Sequence, residues 1–241
     1  MIERAFVYGD LLFESMLVLN NEIQNVSKHY KRLCKSATTL KMQLTDSFTL
    51  AFFTDEIQKQ ITLSELANKQ NCRVRFILYR NSSGFYLPDS NKVNFIIEVF
   101  ELSNNWKEIA AKPKRAGIYT QQHKAKGPLA NLKSGNALIY VLAKLWAQEN
   151  NLDEALIINE EGNIIEAANS NIFWKKNNQI YTVPLSEGCI AGVARETFME
   201  EQINKNTPII EQVCTLQTLQ QADEIFMSNA ANGISPIVLV C

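Results

Sequence analysis

The sequence predicts an α+β fold in two domains: a small mixed α/β N-terminal domain over residues 1–112 and a larger strand-rich C-terminal domain with helices over 122–241, joined by a linker at 113–121. Three observations support this. Runs of β-branched and aromatic residues follow one another through tight turns rather than through helices, which disfavours a doubly wound nucleotide-binding sheet. Apolar residues recur at helical spacing in only a few stretches, most clearly at 26–40 and 134–148. Between the halves, the segment KPKRAGIYTQQHKAKGP is basic, polar and interrupted by Gly and Pro, which is linker composition. At 241 residues, the chain can bury its cores without metal or disulfide support.

Taken in order, two short apolar runs flank Tyr8-Gly9-Asp10 and predict strand, turn, strand. Val26, Tyr30, Leu33 and Leu40 lie at roughly helical spacing, so 26–40 is a helix, and a further helix is expected at 63–71. RVRFILYR at 73–80 and KVNFIIEVF at 92–100 are strand-like, with Asn81-Ser82-Ser83-Gly84 as the turn between them. The first domain should therefore hold a sheet of about four strands. After the linker, the helix at 134–148 should gather Leu138, Val141, Leu142, Leu145 and Trp146 on one side. Short strands follow at 155–159, 164–168, 171–174 and 180–183, with tight turns at Glu161-Gly162-Asn163 and Lys176-Asn177-Asn178. Gly192 precedes a helix at 193–203, and strands close the chain at 224–227 and 234–240.

Composition excludes several classes of function. Lys+Arg 24 against Asp+Glu 25 leaves a net charge of -1, which argues against a nucleic-acid surface. The basic groups Lys31-Arg32 and Lys112-Pro113-Lys114-Arg115 read as solvated faces. Five scattered cysteines (Cys34, Cys72, Cys189, Cys214, Cys241), without CxxC spacing, fit free thiols in a reducing compartment. Two histidines, His29 and His123, are too few and too far apart for a His-based metal site. The apolar stretch 137–145 is interrupted by Lys144 and too short to span a bilayer, and no leader segment is visible. The expectation is a soluble cytoplasmic protein without metal, nucleic-acid or membrane partners.

Chemistry points to three places. Lys133 is read at the front of the 134–148 helix, where the dipole disfavours its charged form and would favour imine formation. Glu166 shares a strand face with Ile164 and Ala168, and a buried carboxylate there needs a cation or hydrogen-bond donors. In GCIAGVAR, at 188–195, Gly192 lets the backbone approach an anion, and the N–H groups of Val193 and Ala194 point at it from the helix start. Arg32 can add a charge-assisted phosphate contact, and Ser170 and Asn171 can hold polar groups beside Glu166. Each has an ordinary reading as well: a surface lysine, an edge glutamate, turn chemistry, a plain helix start. An amine, a carboxylate and an anion cradle together suit pyridoxal 5'-phosphate, whose carbonyl forms an imine, whose ring nitrogen is kept protonated, and whose phosphate needs N–H donors.

The ordered set resembles fold-type IV, or class IV, of the pyridoxal-phosphate enzymes, which include branched-chain aminotransferases, D-amino acid aminotransferases and aminodeoxychorismate lyases. The resemblance runs from about Phe6 to Pro236. Tyr8-Gly9-Asp10-Leu11-Leu12-Phe13-Glu14 is similar to the family's Gly-Asp-Gly-x-Phe-Glu, and His29-Tyr30-Lys31-Arg32-Leu33 to its His-x-x-Arg-Leu, whose arginine binds phosphate. Leu132-Lys133-Ser134-Gly135-Asn136 resembles the segment carrying the Schiff-base lysine. Residues 166–173 resemble Glu-x-x-x-Ser-Asn-Ile-Phe, whose glutamate meets the pyridine nitrogen, and 188–195 the phosphate loop Gly-x-x-x-Gly-Ile-Thr-Arg. Two departures stand out: Leu11 replaces a glycine, and Ala194 replaces a threonine, keeping the N–H but losing a hydroxyl contact. Because the family chain normally continues past the Ser-Pro-Ile segment, a less complete edge of the larger domain is also expected.

The resemblance implies a D-amino acid aminotransferase-like fold, with Lys133 catalytic. The implied cofactor site is Arg32, Lys133, Glu166, Ser170, Asn171, Gly192, Val193, Ala194 and Asn229. It further implies a small-molecule amine substrate and a homodimer in which a loop of one subunit reaches the neighbour's cleft. After 73–80 there is no Arg-x-His carboxylate trap of the D-amino acid enzymes, and Ser228-Asn229-Ala230-Ala231 replaces the Gly-Thr-Ala of branched-chain enzymes. The Asn-Ala pair and the Gly-x-Tyr-x-Pro loop resemble aminodeoxychorismate lyases, which release pyruvate and form 4-aminobenzoate for folate synthesis. An amino-acid aminotransferase, branched-chain-like rather than D-specific, is the alternative activity. An inactive cofactor-binding paralogue is the non-enzyme alternative.

Overall fold

The computed structural model describes residues 3–103 and 105–240. It divides into two compact units, Met1–Asn104 with Leu132–Asn136, and Asn105–Asn131 with Ala137–Cys241.

The first unit contains α1 (Glu3–Tyr8), β1 (Leu11–Leu19), β2 (Glu22–Ile23), α2 (Val26–Thr39), α3 (Leu50–Leu63), β3 (Cys72–Arg80) and β4 (Val93–Glu101). Its antiparallel sheet has the order β2-β1-β3-β4, with Leu11 opposite Tyr79 and Val18 opposite Cys72. Alternation turns Leu12, Met16, Val74, Phe76 and Leu78 into the core, where they meet Leu33, Ala37, Phe53, Ile57 and Ile61 of the helices. The rings of Phe53 and Phe76 lie 4.7 Å apart and those of Phe76 and Phe95 5.1 Å apart. Burying each such side chain contributes roughly 1.5–3 kcal/mol.

Two expectations for this unit are corrected. The run before Gly9 is helical: Gly9, at φ 63°, donates its N–H to Ala5 O and ends α1 in the left-handed conformation that glycine tolerates. The helix expected at 63–71 instead ends at Leu63. It is nucleated earlier, where Thr49 Oγ1 accepts the N–H of Phe52 and Phe53, Ile57 and Ile61 form one buried stripe.

The second unit contains α4 (Trp106–Ala111), β5 (Lys114–Lys124), α5 (Leu138–Glu149), β6 (Glu154–Asn159), β7 (Ile164–Ala167), β8 (Asn171–Lys176), β9 (Gln179–Thr182), α6 (Val193–Asn204), β10 (Ile210–Glu211), α7 (Leu216–Gln220), β11 (Glu224–Asn229) and β12 (Gly233–Leu239). Among the described residues, its strands form an eight-stranded mixed sheet in the order β10-β9-β8-β11-β12-β5-β6-β7.

The segment expected to be a linker at 113–121 is β5, an interior strand parallel to both β12 and β6. Its polar residues at 120–123 are exposed, and its buried residues Ala116, Gly117 and Tyr119 do not alternate. Gly117 is there for close packing rather than a turn, since a Cβ on it would lie 2.6 Å from Leu152 Cδ1 and 3.0 Å from Trp146 Cη2. The domain change accordingly falls at Asn104/Asn105, with 132–136 returning to the first unit.

α5 also starts later than expected and is turned the other way. Ala143 and Ala147 are its buried residues, while Leu138, Val141, Leu142 and Leu145 are 48–76% exposed. Cys34, Cys72, Cys189 and Cys214 are free thiols, and Cys241 lies outside the described residues. Among the described residues, no helix is long and apolar enough to cross a membrane.

Candidate functional site

Within the first unit, Glu14 sits at a buried position of β1, and His29 and Arg32 reach it from one face of α2. His29 Nδ1 lies 2.6 Å from Glu14 Oε2, and Arg32 Nε donates to Oε1 at 2.8 Å while its Nη2 bonds Oε2. Arg32 is therefore aimed by a bidentate carboxylate grip along one edge of the guanidinium. Burial pushes the Glu14 carboxyl up, but the Arg32 charge and the bonds from His29 and Arg32 outweigh it and hold the group at about 2. A depressed carboxylate stabilises the fold fully above its unfolded value near 4.5 and loses that contribution as pH falls towards 2. The amount is roughly 3 kcal/mol. Acid titration of urea stability should show this loss below pH 4.5, and Glu14→Gln should flatten it; an unchanged slope would contradict the assignment.

Lys133 is not on a helix. The chain is extended there, Lys133 O accepting the N–H of Phe13 at 2.9 Å and Gly135 N–H donating to Leu11 O at 3.0 Å around a Leu12–Ser134 bridge. α5 begins only at Leu138, because residues 132–136 pair with the edge of β1 that β3 leaves unused. The helix-dipole reason for an activated Lys133 is thus withdrawn. Its Nζ lies 4.3 Å from the centroid of the Phe13 ring, a cation–π contact.

Within the second unit, Glu166 on β7 is 2% exposed, the buried carboxylate its strand position predicts. Its Oε1 accepts Lys124 Nζ at 2.7 Å and the Tyr140 hydroxyl at 2.8 Å, and Oε2 accepts the N–H of Ile190 at 2.9 Å. Lys124 also donates to Ala130 O at 2.8 Å. Burial and the neighbouring Glu166 charge push the Tyr140 phenol upward, so it remains a donor. Sequence reading missed both residues: Lys124 lay in the supposed linker, and Tyr140 was one more ring on a helix.

The loop that Glu166 grips leads directly to the helix start. Asn131 Nδ2 donates to Leu185 O and Cys189 O at 2.9 and 2.6 Å, and Ala191 N–H returns to Asn131 O at 3.1 Å. Asn159 and Lys126 anchor Glu187 from the other side. Burial pushes the Cys189 thiol up to about 12, leaving it inert in this loop. Asn171 Nδ2 donates to Ile190 O at 2.8 Å, and α6 then begins at Val193 with no side-chain cap on Gly192. An uncapped start presents the Val193 and Ala194 N–H groups to an anion.

Gly192 is required here by contact: an added Cβ would fall 2.0 Å from Asn171 Oδ1. Gly192→Ala should therefore push Asn171 off Ile190 and cost about 1–3 kcal/mol. A thermal melt matching that of the unaltered protein would contradict this packing.

Ser170 and Asn229 form a separate pair, Asn229 Nδ2 donating to Ser170 Oγ at 2.9 Å. Asn229 Oδ1 accepts the N–H groups of Ala231 and Asn232 at 3.0 and 2.7 Å and so shapes the β11–β12 turn. The second unit thus brings Glu166, Asn171, Gly192, Val193 and Ala194 together through one loop and pairs Ser170 with Asn229. Arg32 and Lys133 belong to the first unit.

The family model described as amino-transferase class IV matches residues 11–240. A D-alanine aminotransferase of Staphylococcus haemolyticus is 24% identical, covering 99% of this chain and 82% of its own length. An aminodeoxychorismate lyase of Vibrio harveyi is 22% identical over 98% of this chain and 84% of its own. Among solved structures, a putative 4-amino-4-deoxychorismate lyase from Legionella pneumophila superposes with a TM-score of 0.89 at 24% identity, covering 98% of this chain and 84% of that one. The branched-chain amino acid aminotransferase of Escherichia coli gives 0.88 at 22% identity, covering 98% and 79%. With a family match over nearly its whole length and the fold shared with these enzymes, the chain belongs to the amino-transferase class IV family of pyridoxal-phosphate-dependent enzymes.

Proposed function

We propose that this enzyme is a 4-amino-4-deoxychorismate lyase that binds pyridoxal phosphate through Lys133, Arg32, Glu166 and the Gly192–Ala194 turn. The residues fit the cofactor chemically. Glu166 is a buried carboxylate with acceptor capacity beyond its three present bonds, suited to a protonated ring nitrogen. One loop couples it to an uncapped helix start suited to a phosphate. That coupling through Ile190 is the observation that carries the cofactor assignment.

Bound pyridoxal phosphate supplies an electron sink for negative charge developing at the amine-bearing carbon of the substrate. Lys133 Nζ would hold the cofactor covalently and would serve as the base for the proton on that carbon. Glu166 holds a proton at the ring nitrogen, while Lys124 and Tyr140 keep its carboxylate from rotating. Arg32, fixed by Glu14, and the Val193 and Ala194 N–H groups take the phosphate.

The choice of lyase rests on the Asn229-Ala230 pair, the Gly-x-Tyr-x-Pro loop at 84–88 and the absence of an Arg-x-His trap after 73–80. Supplying aminodeoxychorismate should give pyruvate and 4-aminobenzoate together. Transamination of amino-acid and keto-acid pairs, with no pyruvate from aminodeoxychorismate, would instead make the enzyme an aminotransferase.

A homodimer is part of the same reading. The exposed stripe Leu138, Val141, Leu142 and Leu145 and the 84–89% exposed Phe85-Tyr86-Leu87 are apolar surface of the kind a second copy covers. Sedimentation at a single-chain mass across micromolar concentrations would exclude it. The free, largely buried thiols support a reducing, cytoplasmic setting.

A further inference from the structure

The Ser228 hydroxyl has no use in the fold. Ser228 is 2% exposed, and its Oγ has no hydrogen-bond partner among the described residues. A buried hydroxyl left unpaired is costly and rare, so it calls for a partner that arrives from outside the chain.

Its direction follows from the strand register. Ser228 on β11 lies directly opposite Asn171 on β8 in an antiparallel pair, so the two side chains share one face of the sheet. Asn171 on that face packs against Gly192, with its Oδ1 where a Cβ would stand. Two residues back along β11, Phe226 stacks on Phe173 at 5.4 Å and meets Phe198 of α6 edge-on at 5.9 Å. Phe226 thus faces α6, and Ser228, two residues on, shares that face beside Asn171, which meets Gly192 at the start of α6. The first turn of α6 has no side-chain cap, and its second residue, Ala194, contributes no hydroxyl.

We propose that Ser228 Oγ donates to the phosphate group held at the start of α6, supplying from the sheet the hydroxyl contact that Ala194 does not. The proposal rests on the reading that this helix start seats the cofactor phosphate. The contact is a hydrogen bond to an anion, and removing it should weaken binding roughly tenfold.

The test compares the apo protein with Ser228→Ala and the nearly isosteric Ser228→Cys. Because the hydroxyl has no partner in the chain, both variants should melt at or above the temperature of the unaltered apo protein. Affinity for pyridoxal phosphate should fall roughly tenfold in both, while affinity for pyridoxal, which lacks the phosphate, stays unchanged. Equal affinity for pyridoxal phosphate, or equal losses for both compounds, would overturn the proposal. Unaltered protein that takes up no pyridoxal phosphate would sink the cofactor reading by itself. Inorganic phosphate then decides the serine separately: a rise in melting temperature that is larger with Ser228 than with Ala supports it, and the same rise, or none, in both overturns it.

Discussion

Lys133→Ala is expected to lower turnover by roughly 10²–10⁴-fold, the usual range for loss of a positioned acid–base group, with loss of the covalent anchor added to it. The fold should tolerate the change. Residue 133 is tied to β1 through its backbone, and those hydrogen bonds persist in alanine. Among the contacts the side chain gives up is the one over Phe13, about 0.5–1 kcal/mol. Melting temperature should therefore move little while steady-state activity collapses. A variant retaining turnover within a few-fold would remove Lys133 from the chemistry.

Glu166→Ala should damage both activity and stability. The carboxylate is the common acceptor for Lys124, Tyr140 and the Ile190 N–H, so its removal strands a largely buried ammonium and a backbone donor. Breaking one side of such a pair costs roughly 3–5 kcal/mol. Glu166→Gln keeps the size and an acceptor oxygen, so it should recover much of the stability while leaving the ring nitrogen without an anion. Denaturant melts read the first effect and cofactor affinity the second. If Ala and Gln variants were equally stable and equally active, Glu166 would be a simple strand residue.

The contrast between these two residues shows what local pattern reveals. β1 and β3 were legible because buried positions largely alternate along them, and β6, β7 and β8, buried on both faces, because they are short apolar runs between turn residues. β5 was not: its exposed end is polar, and Gly117 marks a close approach of Trp146 and Leu152 that sequence punctuation reads as a turn. α5 was recognisable as a helix, but Leu138, Val141, Leu142 and Leu145 suggested the wrong inner face, since Ala143 and Ala147 are buried and Ile139, Tyr140 and Trp146 pack beside them. At the site, Glu166, Gly192 and Asn171 stood out because their motifs are contiguous. Lys124, Tyr140 and Ser228 did not, because each reaches its place from a separate strand or helix and no spacing along the chain encodes that meeting. The helix start expected at Lys133 was misread, because its segment is extended against β1 rather than helical.

Lys133 lies beside Phe13 and Lys124 against Glu166, and the covalent role proposed for Lys133 must be told apart from one for Lys124. The decisive measurement is borohydride reduction of the protein loaded with pyridoxal phosphate, followed by peptide mass mapping. The pyridoxyl group should be fixed on the peptide containing Lys133, and Lys133→Ala should lose it. Its appearance on Lys124, or on no lysine of the chain, would contradict the assignment.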